Sequence, residues 1–368
     1  MEFTKDDKIT IEKLLEEGLI TDIKDLIGDK EASFMFKFMV NKFAYLLNGN
    51  LLNEDEIVLR KKVNVIIKTL GPLFLQNKQV FEDRNNLRND KVYSKDINLP
   101  NEPVIYMPNH GFKDDPLASV IAAPRNAYFL FGSLPQFFNT FDGITAWLNG
   151  LTLVDRKSHV SKKTSIHNAI DIINHNVDLI IYPEGVLNKT SNLLALEYWA
   201  GIYKVAKETG VKVVPIVHYL RDHGPKSFMI KFNPTQDDII HTLLDDPVKI
   251  DDLSEKAALE YLRDISASWY YLLMEKYGQT TREEFLDGKK TSLSKMEEEL
   301  EISMNSIEYY DSSVERSIDY RSKDIDRPED VFEAIANIKN VTKENVLDVM
   351  EAKKLVRQRK KEDIQRRF

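Results

Sequence analysis

Between residues 100 and 235, short apolar runs alternate with helical patterns, and this alternation constrains the fold more than any other feature of the sequence. Most of the runs are bounded by Gly, Pro, Asn or Asp, as β-strands are: Val104–Met107, Ala127–Phe131, Leu151–Val154, Leu179–Tyr182, Val211–Val217 and Phe228–Phe232. Residues 161–174 and 197–209, between them, have helical periodicity. The alternation predicts an α/β fold, a mixed sheet flanked by helices, and ligands usually bind at the carboxyl ends of strands in such sheets.

Helical patterns flank this segment on both sides. Before it, Asn53 followed by Glu56 is typical of a capping box at a helix start. After it, residues 252–277 predict a long amphipathic helix, and the rest of the chain is rich in charge. We therefore expect a helical N-terminal region, an α/β domain and a charged helical C-terminal extension, at residues 1–95, 96–278 and 279–368.

Composition excludes several classes of protein. The 368 residues include no cysteine, which excludes a disulfide framework, a thiolate zinc site and a cysteine nucleophile. Asp and Glu number 59 against 51 Lys and Arg, a net charge of −8 that argues against nucleic acid as a partner. The longest apolar run, Trp269–Met274, is far shorter than the roughly 20 residues that cross a bilayer. We expect a cytoplasmic protein whose membrane contact, if any, is peripheral.

Two segments are candidates for such contact. Residues 34–47 are rich in aromatic and aliphatic side chains, and they predict the core seam of a helical bundle, an interfacial helix or a wall for an acyl chain. Residues 353–368 contain eight Lys or Arg and two acidic residues, which predicts either a solvated helix face or a patch for anionic lipid.

The segment Asn109–Pro116 directly follows the first predicted strand of the alternating region. His110 and Asp115 stand five positions apart across a strand-to-helix turn, so their side chains can approach each other. The carboxylate would fix the imidazole tautomer and leave the other ring nitrogen as a base, which suits attack by a substrate hydroxyl. The structural alternative is that Asp115, before Pro116, caps the following helix.

The same spacing recurs at His241 and Asp246, which is also followed by proline. The preceding residues 237–240 do not predict a clean strand, and no Asn stands before His241. We interpret the second copy as a coincidence, so that context rather than spacing distinguishes the first.

Four short blocks make the sequence resemble the glycerolipid and lysophospholipid acyltransferase family. In family order they are Asn109-His110-x4-Asp115, Gly150-Leu-Thr-Leu-Val-Asp-Arg156, Tyr182-Pro-Glu184-Gly185 and Val213-Val-Pro-Ile-Val217. The resemblance implies an O-acyltransferase that moves a fatty acyl group from acyl-CoA or acyl carrier protein to a hydroxyl of a glycerophosphate or lysophospholipid. It implies no cofactor and no metal, because the acyl donor is itself a substrate.

The resemblance also assigns roles to residues. His110 would be the general base and Asp115 its orienter, and amides near Gly111 are candidates for stabilising the oxyanion. Substrate binding would fall to a group of residues in and next to the blocks: Asn109, Arg156 for the acceptor phosphate, Glu184, Gly185 and Lys189.

The third block departs from the family pattern. Val186 and Leu187 stand where the family usually has Thr and Arg, and Lys189 is a candidate to replace the missing charge. This departure leaves the acceptor open. Two alternative functions therefore remain open. The protein could be a catalytically impaired homologue that binds lipid or acts as a scaffold, or an acyl-thioester hydrolase in which His110 activates water.

Overall fold

The computed structural model describes residues 51–75, 78–83, 97–112, 114–132, 149–154, 159–185, 188, 195–196, 198–221 and 237–277. The candidate membrane segments at 34–47 and 353–368, the strand predicted at Phe228–Phe232 and the whole C-terminal extension lie outside these residues.

Helices and strands alternate along the described residues, as the sequence predicts. The helices are α1 (Glu54–Phe74), α2 (Asp115–Ala122), α3 (His159–Asn174), α4 (Gly201–Thr209) and α5 (Glu255–Tyr277). The strands are β1 (Lys78–Glu82), β2 (Val104–Pro108), β3 (Ala127–Phe131), β4 (Leu151–Leu153), β5 (Asp178–Ile181), β6 (Lys212–Arg221) and β7 (Ile239–Leu244).

The strands of the described residues form one mixed sheet in the order β1-β7-β6-β2-β5-β3-β4. The five strands from β6 to β4 are mutually parallel, whereas β7 runs antiparallel to β6 and β1 runs parallel to β7. Every residue of β2 and β5 is buried, which is typical of central parallel strands covered on both faces. The predicted α/β fold with a mixed sheet is confirmed.

Two strands contradict the sequence interpretation at one edge of the sheet. Residues 239–244, which did not predict a clean strand, form β7, and β1 lies where helix was expected up to residue 95. Both strands carry polar residues whose partners come from elsewhere in the chain. His241 and Thr242 are buried in β7 because they are hydrogen-bonded there, so an apolar-run criterion misses the strand.

Helix α1 is held to the sheet by polar side chains. Its N-cap Asn53 accepts a hydrogen bond from the amide of Asp55 at 2.8 Å, which confirms the predicted start. The buried Arg60 donates to the carbonyl of Leu151, and the buried Asn64 donates to the carbonyl of Ala127. No helix among the described residues combines the length and apolarity needed to cross a bilayer.

The predicted amphipathic helix at 252–277 is confirmed as α5. Its Leu262, Ile265, Trp269 and Leu273 are buried, and the helix packs on β6 and α4. Helix α3 packs on β3, β4, β5 and α4, whereas α2 packs on α1, β6 and β7.

Candidate active site

The carboxyl ends of β2 and β5 bring the first and third sequence blocks together. The two strands are parallel neighbours with Tyr106 opposite Ile180, and the chain continues four residues beyond each to His110 and Glu184. The backbone amide of His110 donates to Oε1 of Glu184 at 3.1 Å. Two blocks that lie 74 residues apart therefore meet at the sheet edge where ligands usually bind.

The fourth block reaches the same place through β6, the other neighbour of β2. Residues 104–108 pair with residues 212–216. Directly after these pairs, the side chain of Asn109 continues the hydrogen bonding between β2 and β6. Its Nδ2 donates to the carbonyl of His218 at 3.0 Å, and its Oδ1 accepts from the amide of His218 at 2.7 Å. The polar atoms of the Asn109 side chain are thus engaged by the backbone of β6.

His110 and Asp115 form the pair that their spacing predicts. Nδ1 of His110 lies 3.0 Å from both carboxylate oxygens of Asp115, which is completely buried. Because the carboxylate only accepts, Nδ1 carries the proton, and Nε2 keeps its lone pair. Nε2 has no hydrogen-bond partner among the described residues, and the imidazole is 18% exposed. The pair can accept a proton from a hydroxyl placed at Nε2.

Asp115 does not cap the helix that it begins. The N-cap of α2 is Asp114, and the carboxylate of Asp115 instead turns back to accept from the amides of Gly111 and Phe112 at 2.7 and 3.1 Å. The expectation that amides near Gly111 stabilise an oxyanion is therefore wrong for these two groups, since Asp115 already occupies them. The amide of His110 is likewise occupied by Glu184.

Further contacts fix the orientation of His110. Its carbonyl accepts from the amide of Asn188 at 2.6 Å, and its ring packs against that of Tyr182 with centroids 4.5 Å apart at an angle of 50°. Together with the bonds to Glu184 and Asp115, these contacts hold the backbone and the ring of His110 from several sides.

Glu184 and Gly185 shape the turn after β5. The carboxylate of Glu184 is buried, and it accepts from the amides of His110 and Leu196, so it ties together two loops of the site. Gly185 has φ of +66°, and a Cβ there would lie 2.8 Å from the indole of Trp199. Only glycine fits this turn without strain.

The structure also brings in polar residues that sequence analysis missed. The Ser119 hydroxyl lies 2.7 Å from that of Tyr182 and 2.8 Å from Nε2 of His218, and Nδ1 of His218 lies 2.7 Å from the hydroxyl of Thr242. Burial lowers the pKa of His218 to about 4, against the opposing charge of Asp115. Burial, with the charge of Asp115, raises the pKa of Tyr182 well above its usual range. The available signal was a histidine inside the apolar strand β6.

The remaining predicted binding residues lie outside the described part of the chain. Arg156 follows the end of β4 by three residues, and Lys189 follows Gly185 by four. Gly150, which opens the block that contains Arg156, lies within the described residues. Gly150 has φ of +87°, and a Cβ there would collide with the ring of Tyr128.

The second copy of the His-Asp spacing forms no such pair. Nδ1 of His241 lies 2.7 Å from the carboxylate of Glu82 on β1, and its ring stacks on Tyr277 with centroids 3.5 Å apart. Glu82 also accepts from the hydroxyl of Tyr277. Identical spacing thus leads to different partners, because here the histidine lies within a strand and not after one.

Comparison with known proteins finds a family match and a similarity to solved structures. No curated protein matches the chain. Among solved structures it is similar to the crystal structure of the 1-acyl-sn-glycerophosphate (LPA) acyltransferase PlsC from Thermotoga maritima, with a TM-score of 0.42 and 18% identity over 66% of this chain and 94% of that chain. Residues 80–219 match the family described as Acyltransferase, and this segment includes all four blocks and the His110–Asp115 pair. This match supports an acyltransferase-family domain at residues 80–219.

Proposed function

We propose that this chain transfers a fatty acyl group from an acyl thioester, acyl-CoA or acyl carrier protein, to a hydroxyl of a glycerophosphate or a lysophospholipid. The observation on which the proposal depends is the pattern of contacts made by the two ring nitrogens of His110. Nδ1 is held 3.0 Å from both oxygens of a buried carboxylate, and Nε2 is left with no partner among the described residues. The match to the acyltransferase family supports acyl transfer, and the resemblance of the four blocks supports a glycerolipid acceptor.

The proposed reaction needs no covalent acyl-enzyme. Nε2 of His110 takes the proton of the acceptor hydroxyl while the oxygen attacks the carbonyl carbon of the thioester. The new C–O bond forms, the C–S bond breaks as the tetrahedral intermediate collapses, and the departing thiolate takes the proton from His110. Asp115 holds the imidazole in the required tautomer and stabilises its charged form. The step requires no metal or prosthetic group, so dialysis against EDTA is expected to leave the rate unchanged.

Positioning must supply much of the rate, because general-base action is worth about 10²–10⁴-fold. We assign Glu184 and Asn109 to this task, since both hold the backbone around His110. Gly185 allows a ligand to approach the turn after β5 closely. Arg156 is proposed to bind the acceptor phosphate through its guanidinium fork, and Lys189 to supply a second cation.

Helix α1 supports a peripheral attachment to membranes. Its polar Arg60 and Asn64 are buried against the protein, whereas one outward stripe consists of exposed aliphatic residues: Val58, Leu59, Val65, Ile66, Leu70 and Leu73. No acidic residue occurs between positions 57 and 74, and Lys62 on the stripe is exposed. The stripe ends near the site, because Leu75 packs against the cluster that contains Phe112. We propose that this stripe lies on an anionic lipid surface, the source of a lipid acceptor.

The decisive test of the reaction measures thiol release from acyl-CoA and from acyl carrier protein with a panel of phosphorylated and unphosphorylated acceptors. Release that depends on an acceptor, together with an acylated product, supports the transferase. Release without any acceptor would instead identify a thioester hydrolase, and no release with any donor would favour a binding or scaffold protein.

The variant His110→Gln is expected to lose acyl transfer while it keeps the far-UV circular dichroism of the wild type. His167→Gln, on the exposed side of α3, is the matched control and should retain full activity. Full activity in His110→Gln would remove the general base and with it the proposal. Arg156→Ala should raise KM for phosphorylated acceptors only.

Membrane attachment is tested by sedimentation with vesicles of phosphatidylglycerol and phosphatidylcholine. Replacing Ile66 and Leu73 by Ser should weaken partitioning at least tenfold, since each buried aliphatic side chain contributes about 1.5–3 kcal/mol. Leu253→Ser changes an exposed leucine away from α1 and serves as the control. Equal sedimentation of all variants, or a dimer that disappears on replacing the stripe, would contradict a lipid-binding role for α1.

A further inference from the structure

A chain of hydrogen-bonded polar side chains runs from the edge of the sheet to Tyr182, whose ring packs against that of His110. It starts at Gln79 on β1, whose amide nitrogen lies 2.9 Å from the hydroxyl of Thr242 on β7. It continues through the imidazole of His218 on β6 and the hydroxyl of Ser119 on α2 to the hydroxyl of Tyr182 after β5. Four of its members are completely or almost completely buried: Ser119, Tyr182, His218 and Thr242.

Gln79 determines which atom donates in each hydrogen bond of this chain. The amide nitrogen of Gln79 also donates to the carbonyl of Ala118 at 3.1 Å, so this atom is the donor and not the amide oxygen. It therefore donates to Thr242. The Thr242 hydroxyl can then place its own proton on Nδ1 of His218, which leaves the proton of His218 on Nε2, facing Ser119.

The last member of the hydrogen-bond chain lies next to the proposed base. A proton on Nε2 of His218 is donated to Ser119, whose hydroxyl proton then passes to the oxygen of Tyr182 as a hydrogen bond. The ring of Tyr182 packs against that of His110 with centroids 4.5 Å apart, so the hydrogen-bond chain ends beside the proposed base. The opposite direction would leave the Thr242 proton without a partner among the described hydrogen bonds.

The hydrogen-bond chain requires a neutral His218, in which one ring nitrogen accepts a hydrogen bond and the other donates one. Its environment favours that form, because burial lowers the pKa of His218 to about 4. His218 has a second link to the site, since its backbone amide and carbonyl hold the side chain of Asn109, the neighbour of His110.

We propose that Ser119, Tyr182 and His218 are positioning residues for His110, because their hydrogen-bond chain fixes the ring that packs against the imidazole. The proposal rests on the proposed function, in which His110 is the base. The hydrogen-bond chain fixes the Tyr182 ring, and this ring in turn limits the orientations in which the imidazole of His110 can meet Asp115. None of the three residues touches the substrate in this account.

The most selective perturbation is Tyr182→Phe, which removes the final hydroxyl but keeps the ring packed on His110. We expect kcat to fall about tenfold with KM changed less than twofold, because the base is altered and the binding surface is not. Ser119→Ala should have a similar effect. The double variant should be no slower than the slower single variant, since each change interrupts the same chain.

Tyr128→Phe is the matched control. It also removes one buried tyrosine hydroxyl, which donates to the carbonyl of Ile57 at 2.6 Å on a different part of the sheet. This variant measures how much stability is lost with a buried tyrosine hydrogen bond, and its kcat should equal that of the wild type.

A spectroscopic readout separates positioning from a merely structural role and does not depend on turnover. The proton shared by Nδ1 of His110 and Asp115 should give a downfield proton NMR resonance, identified by its absence in His110→Gln. Tyr182→Phe and Ser119→Ala should both shift this resonance, and Tyr128→Phe should leave it in place.

Two results would overturn the inference. One is an unchanged resonance with an unchanged kcat in Tyr182→Phe and Ser119→Ala, and the other is multiplicative losses of kcat in the double variant. Neither result touches the proposed function, which stands or falls with His110→Gln. If Tyr182→Phe lowers the melting temperature more than Tyr128→Phe does, Ser119→Ala decides the matter by the same two measurements.

Discussion

Replacing His218 by Gln should make the folded protein less sensitive to acid. His218 is buried, and burial lowers its pKa to about 4, whereas the ordinary value is 6.5. Between these values the unfolded chain binds a proton that the folded protein does not. The free energy of unfolding therefore falls as the pH decreases through this window, and the contribution of His218 is fully present only above about pH 6.5.

The size of the effect follows from the two pKa values. At about 1.4 kcal/mol per pKa unit, a decrease from 6.5 to about 4 corresponds to about 3 kcal/mol over the whole window. Between pH 7 and pH 5 the same linkage amounts to about 2 kcal/mol. A glutamine at this position does not titrate, and its amide can still donate towards Ser119, so His218→Gln should lack this pH-dependent part of the stability.

The assay is urea unfolding at pH 7 and pH 5, followed by the fluorescence of tryptophan. Trp269 is completely buried and its indole nitrogen donates to Asp245, so unfolding changes its surroundings strongly. The comparison concerns the loss of unfolding free energy between the two pH values, not the stability at either. Burial also lowers the pKa of His241, but this residue is present in every variant and its contribution cancels.

The control is His167→Gln, which removes an exposed histidine of α3 and should follow the wild type. If the wild type and His218→Gln lose unfolding free energy in parallel between pH 7 and pH 5, the reasoning is refuted. His218 would then take up a proton within the folded protein, and the one-way chain through Ser119 would not be present either.

Three further predictions concern the frame of the site. Gly150→Ala combines a φ of +87° with a collision against Tyr128, so thermal denaturation should show a loss of about 1–3 kcal/mol; an unchanged melting temperature would contradict the strain. Glu184→Gln can accept only one of its two amides and should lower kcat about tenfold in steady-state assays, where an unchanged kcat would contradict a positioning role. Arg125→Lys removes the two guanidinium hydrogen bonds to Asp178 and should lower the free energy of unfolding by about 1 kcal/mol, a small value because Arg125 is one-third exposed. Equal urea midpoints for the variant and the wild type would contradict this value.

The His110–Asp115 pair could be predicted because it depends on local structure alone. A strand that ends before Asn109 and a helix that begins at Asp115 leave a turn short enough for the two side chains to meet. The fate of the neighbouring amides could not be predicted. Whether Gly111 donates to a substrate or to Asp115 is a matter of a few ångströms within the turn, and the same spacing at His241 leads to Glu82 instead.

Contacts between residues that are far apart in the sequence could not be predicted from it. Glu184 reaches His110 only because β5 lies beside β2, and Ser119 reaches His218 only because α2 packs on β6. Strand order and helix packing depend on the burial of whole elements, which a motif of five or six residues does not encode. A histidine inside an apolar strand marks such a residue in the sequence but does not identify its partners.

The sequence alone determined the α/β class, five of the seven strands of the described residues, and the four blocks with their base and carboxylate. These features follow from periodicity and from residue types near one another in the chain. Only the tertiary structure decided that Asp115 and Glu184 occupy the amides of residues 110–112, that Asn109 binds β6, and that a buried chain leads to Tyr182. The physical reason is that a buried polar group must find a partner wherever packing places one, and packing joins segments that are distant in sequence.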